Sequence, residues 1–329
     1  MKLTQPFFKL QVRFDAEILR AEVNALPAGA WARHPNAIEG NSALRLISVN
    51  GGENDGVFGL MQPTAHLKQC RYLRQILASF GVVWHRSRLM RLDPRSTVPE
   101  HADVNYQWFY RVRLHIPVVT HPDVIFHCGG QSVHMAAGEA WLFDNWRLHR
   151  VDNPSNETRI HLVADTTGTA AFWQFVAQSG SGRPADGTLA YRPDVDAAPL
   201  TERILPRPVM PPAELELLVT DLRGELVPRD ESADARAQLA SYHWLLQSFC
   251  FDWRQLYALH GEDPRGRREY GEIAQKLRTA SRGLADGLMM RTNSVAAHTV
   301  LEARVLKALL HEDPASRTGF TRVSQSPNA

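Results

Sequence analysis

Between Trp108 and Pro117 the chain alternates in side-chain character with a period of two. Arg111, Arg113 and His115 fall on one side, and Val112, Leu114 and Ile116 on the other. That period is the signature of a β-strand, so the apolar set faces one layer and the cationic set another. Arg159-Ile160-His161-Leu162-Val163 repeats the pattern. Such a cationic face is stable if it is exposed on a sheet surface or paired internally with Asp or Glu. Otherwise the two strands line a cavity that holds an anion, because an unpaired guanidinium is costly to bury. A dicarboxylate, gripped at one end by a bidentate Arg, suits such a cavity.

The rest of the first half is also strand-rich. Runs of β-branched and aromatic residues occur at Leu44 to Val49, Val82 to Leu92, Trp108 to Val119, Val124 to Cys128, Ala140 to Phe143 and Arg159 to Val163. Gly51-Gly52, Gly129-Gly130 and Asp144-Asn145 supply turn chemistry between runs, as expected of an antiparallel sandwich or barrel. Asp15 caps one predicted helix (Ile18, Leu19, Val23 and Leu26 on one face), and Thr64 caps a second through Leu67, Tyr72, Leu73 and Leu77. From Gln178 to Pro212 the chain is proline-rich and aperiodic, which reads as a long connection. Helical periodicity follows over Ala213 to Leu226, Glu231 to His260, Arg265 to Met289 and Asn293 to His311, the last with Asn293 as cap. The predicted organisation is a β domain over 1–177, a linker over 178–212, a helical domain over 213–315 and a loose tail over 316–329.

His101-Ala102-Asp103 adds chemistry. In an extended segment, positions i and i+2 project to the same side, so an imidazole and a carboxylate can address one ion. His149, in FDNWRLHRV, is a candidate third ligand, and two His with one carboxylate leave coordination positions open. Alone, the short pair is a weak signal, since a solvated loop with a hydrogen-bonded histidine has the same sequence.

In order along the chain, HAD at 101 to 103, RVRLHIPV at 111 to 118, GEAWLFDN at 138 to 145, His149 and RIHLVAD at 159 to 165 resemble the aspartyl/asparaginyl β-hydroxylase family, which includes bacterial proline cis-hydroxylases. The resemblance spans roughly residues 40 to 168. It implies a double-stranded β-helix, a cupin-like jelly roll with flanking helices, and an Fe(II)- and 2-oxoglutarate-dependent dioxygenase. The expected reaction hydroxylates an aspartyl or asparaginyl residue, or a free or carrier-bound amino acid, releasing succinate and CO2. Carried over by position, the resemblance implies that His101 and His149 ligate Fe(II), and that Arg113, His115 and Arg159 hold 2-oxoglutarate. Arg111 matches a position associated with the substrate carboxylate. Asp103 stands where the animal peptide hydroxylases have glycine, and it argues for a full His101, Asp103, His149 triad and for the bacterial branch. The alternative is a non-catalytic cupin-like module that binds a small anionic ligand.

Composition narrows the partners. Lys and Arg number 37 against 35 Asp and Glu, which gives no global field for nucleic acid. The three cysteines lack a CxxC spacing, no stretch is apolar enough to span a membrane, and the start has no apolar leader, so a cytoplasmic location is expected. The helical domain's apolar faces can pack on the β domain, cover the site or form a homodimer. His121, His127 and His134, Trp141 and Phe143, Glu139, and the basic run from Pro264 to Arg268 read as turn, core, cap and solvated face rather than sites.

Overall fold

A computed structural model of the chain describes residues 1–33, 38–179, 188–205 and 207–311. The described residues form two compact units. The first is Met1–Leu205 with Arg291–Val295; the second comprises the described parts of 206–290 and of the chain from 296 onward.

The strands of the first unit are β1 (Phe7–Phe14), β2 (Ala32–Arg33), β3 (Asn41–Val49), β4 (Met61–Pro63), β5 (Val83–Leu92), β6 (Ser96–His101) and β7 (Val112–Val119). They continue with β8 (Ile125–Cys128), β9 (Gln131–Val133), β10 (Glu139–Phe143), β11 (His149–Asn153), β12 (Arg159–Thr166), β13 (Thr188–Leu189) and β14 (Leu200–Thr201). One sheet runs β13-β1-β10-β7-β12-β5-β3-β2, with β14 on β5 and β4 on β3; the second runs β6-β11-β8-β9. Following the chain from β5 to β12, strands pass back and forth between the two sheets and, the β8–β9 hairpin apart, pair with non-consecutive neighbours. That winding is a jelly roll. Gly129 and Gly130 both take positive φ in the β8–β9 turn, the conformation a tight hairpin demands.

Sequence alternation decides which face does what. Val112, Leu114, Ile116, Ile160, Leu162 and Ala164 join Leu44, Leu89 and Leu142 in a core with residues of helices α1 (Ala16–Asn24), α2 (Ala65–Gln69) and α3 (Arg71–Ser79). Each such side chain contributes roughly 1.5–3 kcal/mol by leaving water. Asp15 and Thr64 cap α1 and α2 as expected. The opposite face of the large sheet looks toward the small one. One end of that gap is closed by Phe7, Leu92, Phe126, Cys128, Trp141, Phe143 and Val151.

Local readings change at four places. Trp108 to Tyr110 form a helical turn, α4 (Gln107–Tyr110), rather than the start of a strand. Trp108 is buried there beneath the Arg113 guanidinium, 4.3 Å from its centroid, so tertiary packing overrides aromatic β-propensity. Ser96 to His101, outside the predicted strand runs, is β6, and Phe7 to Phe14, also outside them, pairs with β10. The stretch expected as a connection carries β13 and β14, which lie parallel to β1 and β5.

Helices α5 (Ala170–Ser179), α6 (Pro212–Glu225), α7 (Ala233–His260), α8 (Arg267–Leu284) and α9 (Ala297–Val300) follow. In the second unit α7 packs on α6 and α8, with Leu246, Phe249 and Trp253 buried and the Trp253 indole 4.7 Å from the Tyr270 ring. The third predicted helix stops at Leu284, and Leu288–Met290 instead form a strand, β16, with Leu226–Pro228 (β15). The fourth begins at Ala297, and its continuation loosens to π and 3-10 turns. Asn293 is therefore not its cap: it belongs to the first unit, where its side chain accepts from Val295 N–H at 3.0 Å. The predicted tail, 316–329, lies outside the described residues. No described helix is long and apolar enough to cross a membrane.

Candidate active site

His101 ends β6 and His149 opens β11, and the register sets them directly opposite each other, ring centroids 4.2 Å apart. Each Nδ1 is turned to a backbone carbonyl, Pro99 at 2.8 Å and Arg147 at 2.9 Å. Donation there fixes the tautomer and leaves each Nε2 lone pair free for an ion. Asp103 lies just beyond β6. Its backbone N–H donates to the Asn145 carbonyl at 2.9 Å, and the Asn145 side-chain amide donates to its Oδ2 at 2.9 Å. Ligand atoms of His101, Asp103 and His149 all fall within 4.8 Å of one another. Burial pushes the His149 imidazole down to about 4, against the pull of Asp103. Burial would raise the Asp103 carboxyl, but His149, Arg113 and Asn145 outweigh it and hold it below the usual range. Both groups are thus in the state a cation requires, neutral imidazole and ionised carboxylate.

The turn between β10 and β11 that presents His149 is pinned twice. Asp144 accepts from Trp146 N–H at 3.0 Å, and the Trp146 carbonyl accepts from Asn293 at 2.8 Å.

The triad borders a cavity of about 470 Å³ between the two sheets. At one pole stands Arg159, 4% exposed. Its Nη2 donates to His161 Nδ1 at 2.8 Å, and its Nε has no partner. Beside it, both ring nitrogens of His115 and Nε2 of His161 are buried and unpartnered, with the two rings 5.7 Å apart. Burial drives both imidazoles well below their ordinary range and pushes the Arg159 guanidinium down to about 9, still charged at neutral pH. Orphaned polar groups are rare in native interiors. Several lie at one spot here, around a cation without a carboxylate partner among the described residues, and an anion is the kind of group that would satisfy them.

Two expected cations are already spent. Arg113 lines the cavity, but Asp165, its cross-strand neighbour, grips it through Nε at 2.8 Å and Nη2 at 3.2 Å. Burial would lower the Arg113 pKa, yet Asp165 raises it above its ordinary value. Arg111 caps α4 and binds both oxygens of Glu202 at 2.8 Å, and it does not line the cavity. The internal pairing that alternation left open is the outcome for these two residues and not for Arg159.

Sequence reasoning missed Arg86 and Arg88, buried side chains of β5 that line the same cavity, and Asp55, which meets them from the 50–60 loop. The signal was present: His85-Arg86-Ser87-Arg88-Leu89 has the alternation used for β7. Asn145, read as a turn former, also holds Asp103.

Residues 47–168 match the family model described as aspartyl/asparaginyl beta-hydroxylase. L-proline cis-3-hydroxylase 1 from Streptomyces sp is 26% identical over 139 residues, 39% of this chain and 48% of that protein, so the chain spans about half the length of the curated relative it matches. Among solved structures, a 2OG-Fe(II) oxygenase family oxidoreductase from Burkholderia pseudomallei is 15% identical with a TM-score of 0.32, covering 46% of this chain and 90% of that one. A Pseudomonas putida prolyl-4-hydroxylase is 13% identical with a TM-score of 0.35, covering 51% and 95%. The match with the aspartyl/asparaginyl β-hydroxylase family model thus runs through the strands from β3 to β12, and the strand order of these residues is that of a jelly roll.

Proposed function

We propose that this chain is an Fe(II)- and 2-oxoglutarate-dependent hydroxylase of amino acids. One observation carries the reading: a two-His, one-carboxylate cluster opens onto a cavity whose far pole is an unpaired, buried Arg159. His101, Asp103 and His149 would hold the ion, a donor set suited to Fe(II) with positions left open. Arg159 and His115 would take the far carboxylate of 2-oxoglutarate, the arginine by its planar fork and the imidazole as a neutral donor. Bound there, ion and cosubstrate would supply O2 activation and the oxidative decarboxylation that inserts oxygen into a C–H bond. The protein's part is positional. Phe126, Phe143 and Val151 wall the cavity beside His149 and exclude water, while Asp165 keeps Arg113 from competing for the cosubstrate. The substrate is an amino acid, free or within a peptide, and the name of the Streptomyces relative makes L-proline the first compound to try.

The test incubates the full chain with Fe(II), 2-oxoglutarate and O2, together with each of the common L-amino acids and with short peptides containing Asp, Asn or Pro. Succinate release matched by a product one oxygen atom heavier is the expected result. Succinate no higher with any compound than without one, in protein that binds 2-oxoglutarate, contradicts it.

A further inference from the structure

The second unit carries an unassigned surface on α7. One side of this helix is buried, through Leu246, Phe249 and Trp253 among others. The other side holds Ala237, Ala240, Trp244, Phe251, Ala258 and Leu259, all of them exposed. Trp244 and Leu259 are 67% and 76% open to solvent, and Phe251 is 45%. Ala237, Trp244, Phe251 and Ala258 recur every seven residues, a spacing that drifts only about 20° per repeat on a straight helix, so they form one stripe. Ser241, Ser248 and Gln255 fill the gaps, which leaves the stripe without a charge along about 33 Å of helix. A helix solvated on one side ordinarily carries its charges there, and an exposed apolar stripe of this length marks an interface.

The charges say what covers it. Of the 28 residues of α7, four are Asp, Glu, Lys or Arg, arranged as Asp234-Ala235-Arg236 and Asp252-Trp253-Arg254. The two triplets are 18 residues apart, five full turns, so they repeat at the same angle. At 100° per residue both aspartates fall about 80° to one side of Trp244 and both arginines about 80° to the other. The stripe thus runs between an acidic edge and a basic edge, with all four residues exposed; Arg254 also pairs with Glu216 of α6. Two copies can pack such a face about a two-fold axis in either of two ways. With the axis along the helix the copies run parallel, and each acidic edge lies beside a basic one. With the axis across the helix they run antiparallel, and like edges meet, which costs electrostatic free energy. The parallel arrangement also sets Trp244 and Phe251 against their own counterparts at the centre of the contact, where aromatic anchors contribute most.

We infer that α7 is a homodimer interface, in which two copies of the chain pack in parallel through the stripe from Ala237 to Ala258 with the acidic edge of each against the basic edge of the other. A strip about 33 Å by 10 Å is less than half of the ~800 Å² that a standard interface buries per partner, so dissociation in the micromolar range is expected. The interface lies wholly in the second unit, and it stands or falls independently of the oxygenase reading.

Sedimentation velocity of the full chain between about 1 and 100 μM reads the association in wild type, Trp244→Glu and Phe251→Glu. The expected result is a monomer–dimer equilibrium in wild type and association at least about tenfold weaker in each variant. Orientation is read by cross-linking Ala237→Cys and Ala258→Cys with a short bis-maleimide; the two positions are exposed and about 32 Å apart along the helix, and the native cysteines are buried. Parallel packing cross-links each variant to itself and not to the other. Cross-linking only when the two variants are mixed means antiparallel packing and overturns the arrangement. A chain that stays monomeric at about 100 μM, or a dimer that both glutamate variants leave unchanged, overturns the interface. If a glutamate variant loses its helical circular dichroism, the cysteine variants, which alter only exposed alanines, still decide.

Discussion

Replacing Arg159 by Met separates what this residue does for binding from what it costs the fold. The guanidinium is 4% exposed, touches only His161 within hydrogen-bond distance, and has no carboxylate partner among the described residues. In the ligand-free protein Arg159→Met removes an uncompensated buried cation and substitutes an unbranched apolar chain. Exchanges of buried charge for apolar volume stabilise by roughly 1–4 kcal/mol. Loss of the hydrogen bond to His161 returns about 1 kcal/mol, which leaves a net gain of up to about 3 kcal/mol. At roughly 2–4 °C per kcal/mol for a unit of this size, Tm of the metal-free, ligand-free protein rises by as much as about 10 °C. Two charge-assisted bonds to the carboxylate are lost at the same time, each worth roughly 1.5–3 kcal/mol, so 2-oxoglutarate binds about 10²- to 10⁴-fold more weakly. Scanning calorimetry gives the first quantity and titration calorimetry with Fe(II) present gives the second. A variant that is less stable than wild type and binds 2-oxoglutarate as well as wild type does refutes the reasoning, because Arg159 would then be structural.

Three further outcomes are expected. Asp165→Asn strips the partner from buried Arg113 and costs about 3–5 kcal/mol in denaturant unfolding, more than a median surface ion pair is worth, whereas an effect under about 1 kcal/mol would show that Arg113 is solvated. Asn145→Ala unfastens Asp103 without touching a ligand atom, so Fe(II) affinity falls roughly 10- to 100-fold while far-ultraviolet circular dichroism is unchanged; retained affinity would mean that Asn145 does not orient Asp103. Burial and Arg111 push His85 down to about 4, against Asp165 and Glu202, so the unfolded chain binds a proton at higher pH than the folded one. Its contribution to stability is whole above about pH 6.5 and is lost as pH falls through about 4, on the order of 2–3 kcal/mol in all. His85→Gln should flatten the unfolding free energy across that window, and a slope identical to that of wild type counts against the assignment.

The parts of this architecture that sequence revealed were those in which one period governs both faces of an element. Alternation at Arg111 to Ile116 and at Arg159 to Val163 located the inner layer, and both apolar sets entered the core as expected. Asp15 and Thr64 were legible as caps because a cap is a local hydrogen bond. What stayed hidden was long-range pairing. No local pattern told that Arg113 would meet Asp165 or that Arg111 would meet Glu202, 91 residues away, and these pairings decide which cation is free. Ser96 to His101 has too little apolar content to read as a strand, and it is one because β11 supplies its partner. Asn293 has the residue type of a helix cap, yet it serves the turn before His149, a contact 147 residues apart. Arg86 and Arg88 alternate with Ser87 and Leu89 in the same way, and that pattern was legible in the sequence.

The central claim is that the triad and the Arg159 pole hold Fe(II) and 2-oxoglutarate together, and anaerobic titration of the apo protein with both, followed by visible absorption, tests it most directly. The account predicts the weak charge-transfer band of a chelated complex in wild type, its loss in His149→Ala, and its appearance in Arg159→Met only at much higher 2-oxoglutarate. No band in wild type, together with no heat of binding for either compound, would contradict it.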